Sequence, residues 1–199
     1  MDGERLSRTL SRMAHEMVER HPDMKGVVLV GIRSRGVPLA HRLARLIKQA
    51  CGSEPPVGAL DITLYRDDLT MIAPHPIMKG TEIPVSIDDR TVILTDDVLF
   101  TGRTVRAALD ELIDFGRPAR IELAVVVDRG HRELPIRADY AGKGLTTSRE
   151  EIVQVQLREE DGEDRVLLLE KGRPRAASAA RPKAKRQTGA RRVKGGRRR

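Results

Sequence analysis

The sequence predicts one α/β domain built on a central, mainly parallel sheet. Apolar, β-branched runs typical of buried strands alternate with segments whose apolar residues recur at helical spacing. Hydrophobic residues make up 39% of the 199 residues, which is enough for one core of ordinary size. Because such strand and helix units place binding sites at the carboxyl ends of parallel strands, we expect function where the predicted strands end.

The first part of the chain predicts a helix followed by a strand, a loop and a second helix. Residues 27–32, Val-Val-Leu-Val-Gly-Ile, are typical of a buried parallel strand, and residues 33–36, Arg-Ser-Arg-Gly, form the loop after it. Apolar residues at helical spacing predict the two helices: Leu6, Leu10, Met13 and Met17 for the first, and Leu39, Leu43 and Ile47 for the second.

The middle of the chain predicts three strands and one helix. Leu60, Ile62 and Leu64 alternate with polar residues as in a half-buried strand, and residues 66–80, with their charges and two prolines, predict a mobile loop. The remaining elements are a strand at 92–95, a loop at 96–102, a helix at 104–115 and a core strand at 121–127.

The last part of the chain divides into a small cap and a basic tail. Strand-like segments at 152–157 and 166–169 predict the cap, so the domain spans residues 1–170. Residues 171–199 hold 13 Lys or Arg and no acid, and we expect them to be disordered. Since residues 1–170 hold 24 basic and 29 acidic residues, the net charge of +8 belongs to the tail, and composition alone does not make the domain an RNA binder.

Composition also excludes several classes of protein. No run of about 18 apolar residues predicts a membrane span, and the charged first residues lead into an amphipathic segment, so we expect a cytoplasmic protein without a membrane partner. Cys51 is the only cysteine, which excludes an internal disulfide and a cysteine-rich metal site.

Residues 92–104, Val-Ile-Leu-Thr-Asp-Asp-Val-Leu-Phe-Thr-Gly-Arg-Thr, carry the strongest chemical signal. The predicted helix N-terminus near Gly102 offers backbone N–H groups to a phosphate dianion. The carboxylates of Asp96 and Asp97 suit ribose hydroxyls and Mg²⁺. An acidic pair alone is equally well a solvated strand-end turn, but the whole run resembles the 5-phosphoribosyl-1-diphosphate (PRPP) motif of type I phosphoribosyltransferases. It is neither a Walker A loop nor a dinucleotide fingerprint.

Three further runs narrow the resemblance: residues 13–17 (Met-Ala-His-Glu-Met), 61–68 (Asp-Ile-Thr-Leu-Tyr-Arg-Asp-Asp) and 124–140 (Ala-Val-Val-Val-Asp-Arg-Gly-His-Arg-Glu-Leu-Pro-Ile-Arg-Ala-Asp-Tyr). Over roughly residues 5–170 the chain resembles the bacterial bifunctional PyrR family. That family combines uracil phosphoribosyltransferase activity with UMP-dependent binding of pyrimidine-operon messenger RNA. The resemblance implies the type I phosphoribosyltransferase fold with a small cap, the ligands uracil, PRPP and UMP, Mg²⁺ as cofactor, and homodimers that assemble further.

The resemblance also implies the substrate site. Arg66 would lie on a loop over the reacting groups and act in catalysis with Asp96 and Asp97, while Mg²⁺ would be bound mainly through PRPP, with this acidic pair as the candidate protein ligands. For Arg35 and Arg66 the alternative is an exposed loop arginine. No general base is assigned. The implied substrate contacts are the ribose 5-phosphate residues Asp96, Asp97, Val98, Leu99, Phe100, Thr101, Gly102, Arg103 and Thr104, the pyrophosphate residues Ser34 and Arg35, and the base residues Arg129 and, through its backbone, Val153.

This chain departs from the family pattern at two positions of the signature. The family usually has Val where this chain has Thr95 and Tyr where it has Phe100. The loss of the tyrosine hydroxyl puts in doubt any contact made by that group, but not the loop itself.

For RNA, the resemblance implies two groups of contact residues: Ser11, Arg12 and His15 on the first helix, and His131, Arg132, Arg137 and Lys143 after the last core strand. From charge alone, a solvated helix face explains the first group better. With two Phe, two Tyr and no Trp, the chain offers little aromatic surface for stacking bases. We expect the tail to be an electrostatic accessory rather than the determinant of RNA recognition.

Three interpretations remain open from the sequence: the bifunctional enzyme and regulator, which we favour, a regulator with little catalysis, and a phosphoribosyltransferase for another base without an RNA role. The sequence does not separate attenuation from translational control.

Overall fold

The structure, a computed structural model, describes residues 1–63 and 80–170. Among these, the helices are α1 (Gly3–Arg20), α2 (Gly36–Cys51), α3 (Arg103–Asp114) and α4 (Arg158–Asp161). The strands are β1 (Val27–Ile32), β2 (Val57–Leu60), β3 (Thr91–Leu99), β4 (Arg120–Asp128), β5 (Tyr140–Gly144), β6 (Glu151–Gln156) and β7 (Arg165–Glu170).

Five strands form the central sheet in the order β2-β1-β3-β4-β5, and every neighbouring pair is parallel. In this register Val30 lies beside Leu94, and Leu94 lies beside Leu123. The other two strands, β6 and β7, pair with each other in antiparallel fashion and are called the small sheet below. The predicted parallel sheet flanked by helices is confirmed.

Both faces of the central sheet are covered, which explains the continuous apolar sequence of β1. Its residues alternate between two cores: Val27 and Leu29 pack with α1 and α2, whereas Val28 and Val30 pack with α3. All of these side chains are nearly inaccessible to solvent. Burial of one such side chain stabilises the fold by about 1.5–3 kcal/mol relative to exposure.

Two predicted boundaries were wrong, and strand pairing explains both. The strand expected at residues 60–64 lies instead at 57–60, because β2 pairs with β1 only up to the register of Ile32 with Leu60. The loop expected to begin at Asp96 begins only after Leu99, because β3 continues along β4 through the pairing of Val98 with Val127 and of Leu99 with Asp128.

The strand β5 was not predicted, because the sequence after Asp128 is polar and β5 itself contains glycines at 142 and 144. Gly142 is required here by close packing: a Cβ at this position would lie 2.5 Å from the Val126 carbonyl oxygen and 2.7 Å from Cγ2 of Thr9 on α1. The glycine therefore lets α1 approach the sheet. Residues 66–79 of the predicted loop at 66–80, and the predicted disordered tail, lie outside the described residues.

Candidate functional site

The carboxyl ends of β1 and β3 lie side by side and bring two predicted segments together. The loop after β1, residues 33–35, contains a cis peptide bond between Arg33 and Ser34. The residue that follows this loop, Gly36 at the start of α2, packs directly on β3, where a Cβ on it would overlap the carbonyl oxygen of Thr95. Only a glycine permits this approach, which places Ser34 and Arg35 next to the acidic end of β3.

The two aspartates at this end of β3 have different surroundings. The Asp96 side chain is buried, and its Oδ1 accepts a hydrogen bond of 2.9 Å from the Asp97 backbone N–H. Asp97 is half-buried, and burial raises the pKa of its carboxyl, while the guanidinium of Arg35 opposes that rise. Asp97 thus presents a carboxylate that gains from a bound cation or hydroxyl donor.

The part of the signature that is predicted to bind phosphate lies at the N-terminus of α3. Gly102 precedes the helix with a left-handed backbone (φ 95°), and its carbonyl accepts the first helical bond, from the N–H of Arg106. Thr101 Oγ1 lies 3.4 Å from the Arg103 nitrogen. The N–H groups of this first turn, together with the Thr104 hydroxyl, form an arrangement that favours an anion.

Arg129 is a buried arginine that joins the signature to the small sheet. Its guanidinium carbon lies 4.0 Å from the centroid of the Phe100 ring. It also donates to Thr147 Oγ1 (3.3 Å) and to the Ser148 carbonyl (2.9 Å), just before β6. The Phe100 ring therefore supports Arg129 through its face, a contact that needs no hydroxyl. Val153, the other predicted base residue, lies on β6 with 8% exposure.

The predicted pyrophosphate residue Arg35 is already paired with a carboxylate that the sequence did not indicate. Its Nε and Nη2 donate to the two oxygens of Asp161 in α4, at 3.1 and 2.7 Å. No local pattern could have identified this partner, because the two residues are 126 positions apart. Arg66 lies outside the described residues, so its catalytic role stays a prediction.

The predicted RNA residues of α1 lie beside β5. Arg12 donates to the carbonyls of Ala141 (3.0 Å) and Gly142 (2.7 Å), and the ring Nδ1 of His15 is hydrogen-bonded to the Ser11 carbonyl (2.7 Å). Arg12 and Lys143 share a surface depression of about 390 Å³, called the basic depression below, which is lined by Met1, Arg5, Arg8, Thr9, Arg12 and Lys143. Arg5 and Arg8 were not predicted among the RNA residues, although Arg8 lies four residues before Arg12 and Arg5 three before Arg8, which places all three on one helix face.

The other predicted RNA residues are not equivalent to one another. Arg132 donates to Asp128 Oδ2 (2.5 Å) and to the carbonyls of Phe100 (2.8 Å) and Ile136 (3.0 Å), so its guanidinium organises the loop above the signature. His131 Nε2 is bonded to the Thr147 carbonyl (2.5 Å). Arg137, in contrast, is exposed. RNA contact by each of them stays a prediction.

Within the described ranges, no group of three or more His, Cys, Asp or Glu side chains is arranged to hold a metal ion. Nor does any helix there have the length and apolar character needed to cross a membrane.

The comparisons with known proteins agree with this geometry. Residues 2–160 match the family model of the phosphoribosyl transferase domain. The bifunctional protein PyrR of Elusimicrobium minutum is 59% identical over 170 residues, covering 85% of this chain and 95% of the relative. That of Thermus aquaticus is 59% identical over 171 residues, covering 86% and 94%. The chain belongs to the PyrR family of type I phosphoribosyltransferases.

Solved structures show the same fold at low identity. The hypoxanthine phosphoribosyltransferase of Trypanosoma cruzi has a TM-score of 0.64 at 15% identity and covers 86% of this chain and 95% of its own. A hypoxanthine-guanine phosphoribosyltransferase of Bacillus anthracis has a TM-score of 0.61 at 16% identity, covering 86% and 96%. The predicted type I fold and the prediction of a phosphoribosyltransferase with a pyrimidine regulatory role are confirmed.

Thr95 is the departure from the family pattern with the clearest structural consequence. Its side chain is buried on β3, and its Oγ1 has no hydrogen-bond partner among the described residues. An unsatisfied buried hydroxyl costs about 1–3 kcal/mol, whereas the valine usual in the family would not incur this cost.

Proposed function

We propose that this chain transfers the phosphoribosyl group of PRPP to uracil, giving UMP and diphosphate, and that uridine nucleotides control its binding to pyrimidine-operon messenger RNA. One observation carries the catalytic part: the acidic end of β3, loop 33–35 and the N-terminus of α3 meet at one edge of the sheet. These are the groups that a phosphorylated sugar with a diphosphate leaving group requires.

Each part of PRPP has a counterpart at this edge. The 5-phosphate binds residues 101–104, where the N–H groups of the first turn of α3 and the threonine hydroxyls donate to it. The ribose hydroxyls donate to the carboxylates of Asp96 and Asp97. The diphosphate lies along loop 33–35, where Arg35 supplies positive charge.

In the reaction, the lone pair of uracil N1 forms a bond to ribose C1 while the bond from C1 to the diphosphate oxygen breaks. The bonding electrons leave with diphosphate, and the N1 proton passes to solvent or to a carboxylate, with no residue assigned as the base. Catalysis rests on positioning and on stabilisation of charge by Arg35 and the proposed Arg66.

The acidic pair also fits Mg²⁺, since Asp97 is part-exposed and its pKa is raised by burial, so that an added positive charge stabilises its ionised form. Asp97 and Asp96 would then hold the ion together with PRPP oxygens. When bound, Mg²⁺ neutralises charge on the diphosphate leaving group.

Uracil lies between the buried Arg129 and the backbone of Val153 on β6. Backbone N–H and C=O groups of a strand complement the carbonyl oxygens and the N3–H of a pyrimidine. Arg129 is fixed by Phe100 and by the segment at 147–148, so this side of the pocket is organised before substrate binds.

The catalytic proposal is tested by assaying PRPP-dependent nucleotide formation with uracil, hypoxanthine and orotate. We expect UMP formation only, with a large loss of kcat in Asp97→Asn. Turnover of a purine without turnover of uracil would refute the choice of base. Absence of turnover with all three, combined with intact RNA binding, would support a regulator with little catalysis.

The basic depression supports the RNA part, because the cationic side chains of Arg5, Arg8, Arg12 and Lys143 all line it. Neither Arg5 nor Lys143 has a side-chain ion pair within the described part of the chain, so both are available to phosphates. Phosphate contacts give salt-sensitive affinity, while unpaired bases give discrimination.

This part is tested on the leader RNA of the protein's own pyrimidine operon, with and without UMP. We expect Arg8→Ala and Lys143→Ala each to lower the slope of log affinity against log salt by about 1. Arg45→Ala, on the exposed surface of α2, is the matched control and is expected to leave the slope unchanged. Equal affinity for an unrelated hairpin would count against specific regulation.

Two further proposals complete this function. We propose that the protein forms a homodimer or a larger homo-oligomer, and sedimentation analysis of its molecular mass tests this.

We also propose that residues 171–199 add affinity for polyanions without specificity. A chain ending at residue 170 is expected to keep leader RNA discrimination and to lose only salt-dependent background; loss of discrimination would refute the accessory role.

A further inference from the structure

The carboxylate of Asp161 occupies the guanidinium that the proposed function assigns to diphosphate. The two donor atoms of Arg35 meet the two oxygens of Asp161 at 3.1 and 2.7 Å, a two-point contact that leaves the guanidinium 33% and the carboxylate 16% exposed. Both groups are stabilised in their charged forms: pairing raises the pKa of Arg35 and lowers that of Asp161. A diphosphate at loop 33–35 therefore has to share or replace this carboxylate.

Asp161 is not a freely rotating side chain, because it closes the turn that follows β6. Its Oδ2 accepts a hydrogen bond of 2.9 Å from the Leu157 N–H, and its own N–H donates to the Leu157 carbonyl (2.6 Å). Leu157 is fully buried in the core. The pair of Arg35 and Asp161 thus connects loop 33–35 to the end of β6, the strand whose Val153 is proposed to hold uracil.

A second pair of contacts holds the same turn independently of loop 33–35. Arg42, on the body of α2, donates to Glu159 (2.9 Å from Nε) and to Asp164 (2.7 Å from Nη2). These contacts raise the pKa of Arg42 well above its usual value. Because Arg42 is not among the residues proposed to contact substrate, the small sheet stays attached to α2 if Arg35 releases Asp161.

One guanidinium also faces two carboxylates. Besides Asp161, the charge of Arg35 acts on Asp97, whose pKa burial raises and Arg35 lowers. An incoming diphosphate would be a third anionic group on the same cation. Of the three, Asp161 is the one that the proposed chemistry does not use, and it is therefore the one that can be exchanged.

We propose that Asp161 is a positioning residue that holds Arg35 in place in the free enzyme and is exchanged for the diphosphate group of PRPP, so that occupancy of the diphosphate site is linked to the end of β6. This inference rests on the assignment of Arg35 to diphosphate in the proposed function. The inference implies that the Asp161 carboxylate lowers the affinity for diphosphate, although Asp161 lies beside the proposed diphosphate site.

The test is calorimetric titration of the full chain with inorganic diphosphate in excess Mg²⁺. Asp161→Asn keeps the size of the side chain and an oxygen for the Leu157 N–H but removes the charge. We expect diphosphate to bind this variant about fivefold more tightly, as expected for loss of a competing, partly exposed ion pair. Local damage to the turn would weaken binding, so a gain in affinity is not explained by a structural role.

Matched variants make the result specific. Glu159→Gln removes a carboxylate of the same turn that pairs with Arg42 instead, and we expect its diphosphate affinity to stay within twofold of wild type. Asp161→Glu retains the charge and is expected to restore an affinity close to wild type. Unchanged or weaker binding by Asp161→Asn, or equal tightening by Asp161→Glu, would overturn the inference.

Arg35→Gln distinguishes a failure of the proposed diphosphate site from a failure of the role proposed for Asp161. If this variant binds diphosphate as well as wild type does, the proposed diphosphate site is wrong, and the inference fails with it. If it loses diphosphate affinity while Asp161→Asn gains none, the site stands and only the role of Asp161 is refuted. Steady-state inhibition by diphosphate against PRPP provides a second measurement, in which Asp161→Asn is expected to show a proportionally lower inhibition constant.

Discussion

Gly36→Ala tests whether catalysis depends on the close packing of loop 33–35 against β3. A Cβ at Gly36 would overlap the Thr95 carbonyl oxygen and lie 3.3 Å from the Gly31 carbonyl carbon. Because both obstacles are backbone atoms, no side-chain rotation relieves them, and restoring ordinary contact requires the loop to move away from β3 by on the order of 1 Å. Overpacking of this kind costs about 1–3 kcal/mol, from which the better helix propensity of alanine recovers at most about 1 kcal/mol.

The catalytic effect is expected to exceed the effect on stability. A displacement of about 1 Å in a positioning element costs on the order of 100-fold in rate. We expect that loss in kcat/KM for PRPP, together with a destabilisation of about 1–2 kcal/mol in urea unfolding. Gly144→Ala is the matched control, since a Cβ there meets no atom within 4 Å. A Gly36→Ala enzyme that is destabilised but keeps wild-type kcat/KM would refute the reasoning.

Four further predictions concern single side chains. Because burial raises the pKa of Asp97, the acid limb of kcat/KM for PRPP is expected above pH 3.8, the usual value, and a limb at or below that value would contradict it. Phe100→Leu is expected to raise KM for uracil several-fold by loss of a contact with Arg129 worth about 1–2 kcal/mol, whereas Phe100→Tyr is expected to match wild type. Thr95→Val is expected to stabilise the fold by about 1 kcal/mol in urea unfolding with unchanged kcat; a loss of stability would show that its hydroxyl is satisfied. For Glu122, burial opposes ionisation, but hydrogen bonds from its neighbours outweigh it and lower the pKa, so its contribution is present above pH 4.5 and lost as pH falls further. Glu122→Gln is therefore expected to destabilise the protein at pH 7 but much less at pH 3, measured by thermal unfolding.

The sequence alone indicated those parts of the candidate site whose residues are neighbours in the chain. Apolar runs of four to six residues at 27–32 and 92–95 indicated buried strands, and the run at 92–104 indicated both an acidic strand end and a helix N-terminus for phosphate. These features depend on local periodicity and on the chemistry of adjacent side chains.

Strand boundaries were less predictable, because a strand continues as long as it has a partner. β3 runs on through the acidic pair to Leu99 since β4 lies beside it, and no pattern in residues 96–99 shows that neighbour. In β5, Gly142 is needed to admit α1, a packing requirement that arises only when the helix is in place.

The sequence by itself determined the fold class and the family, and it predicted which segments form the site. Only the tertiary structure decided which acceptors the arginine side chains contact. Arg35 pairs with the carboxylate of Asp161, 126 residues away, and Arg12 donates to the carbonyl of Gly142, 130 residues away. An arginine side chain is long, and its guanidinium pairs with whichever acceptor the fold brings within about 3 Å. Its role therefore depends on the arrangement of distant segments in space, which local sequence does not encode.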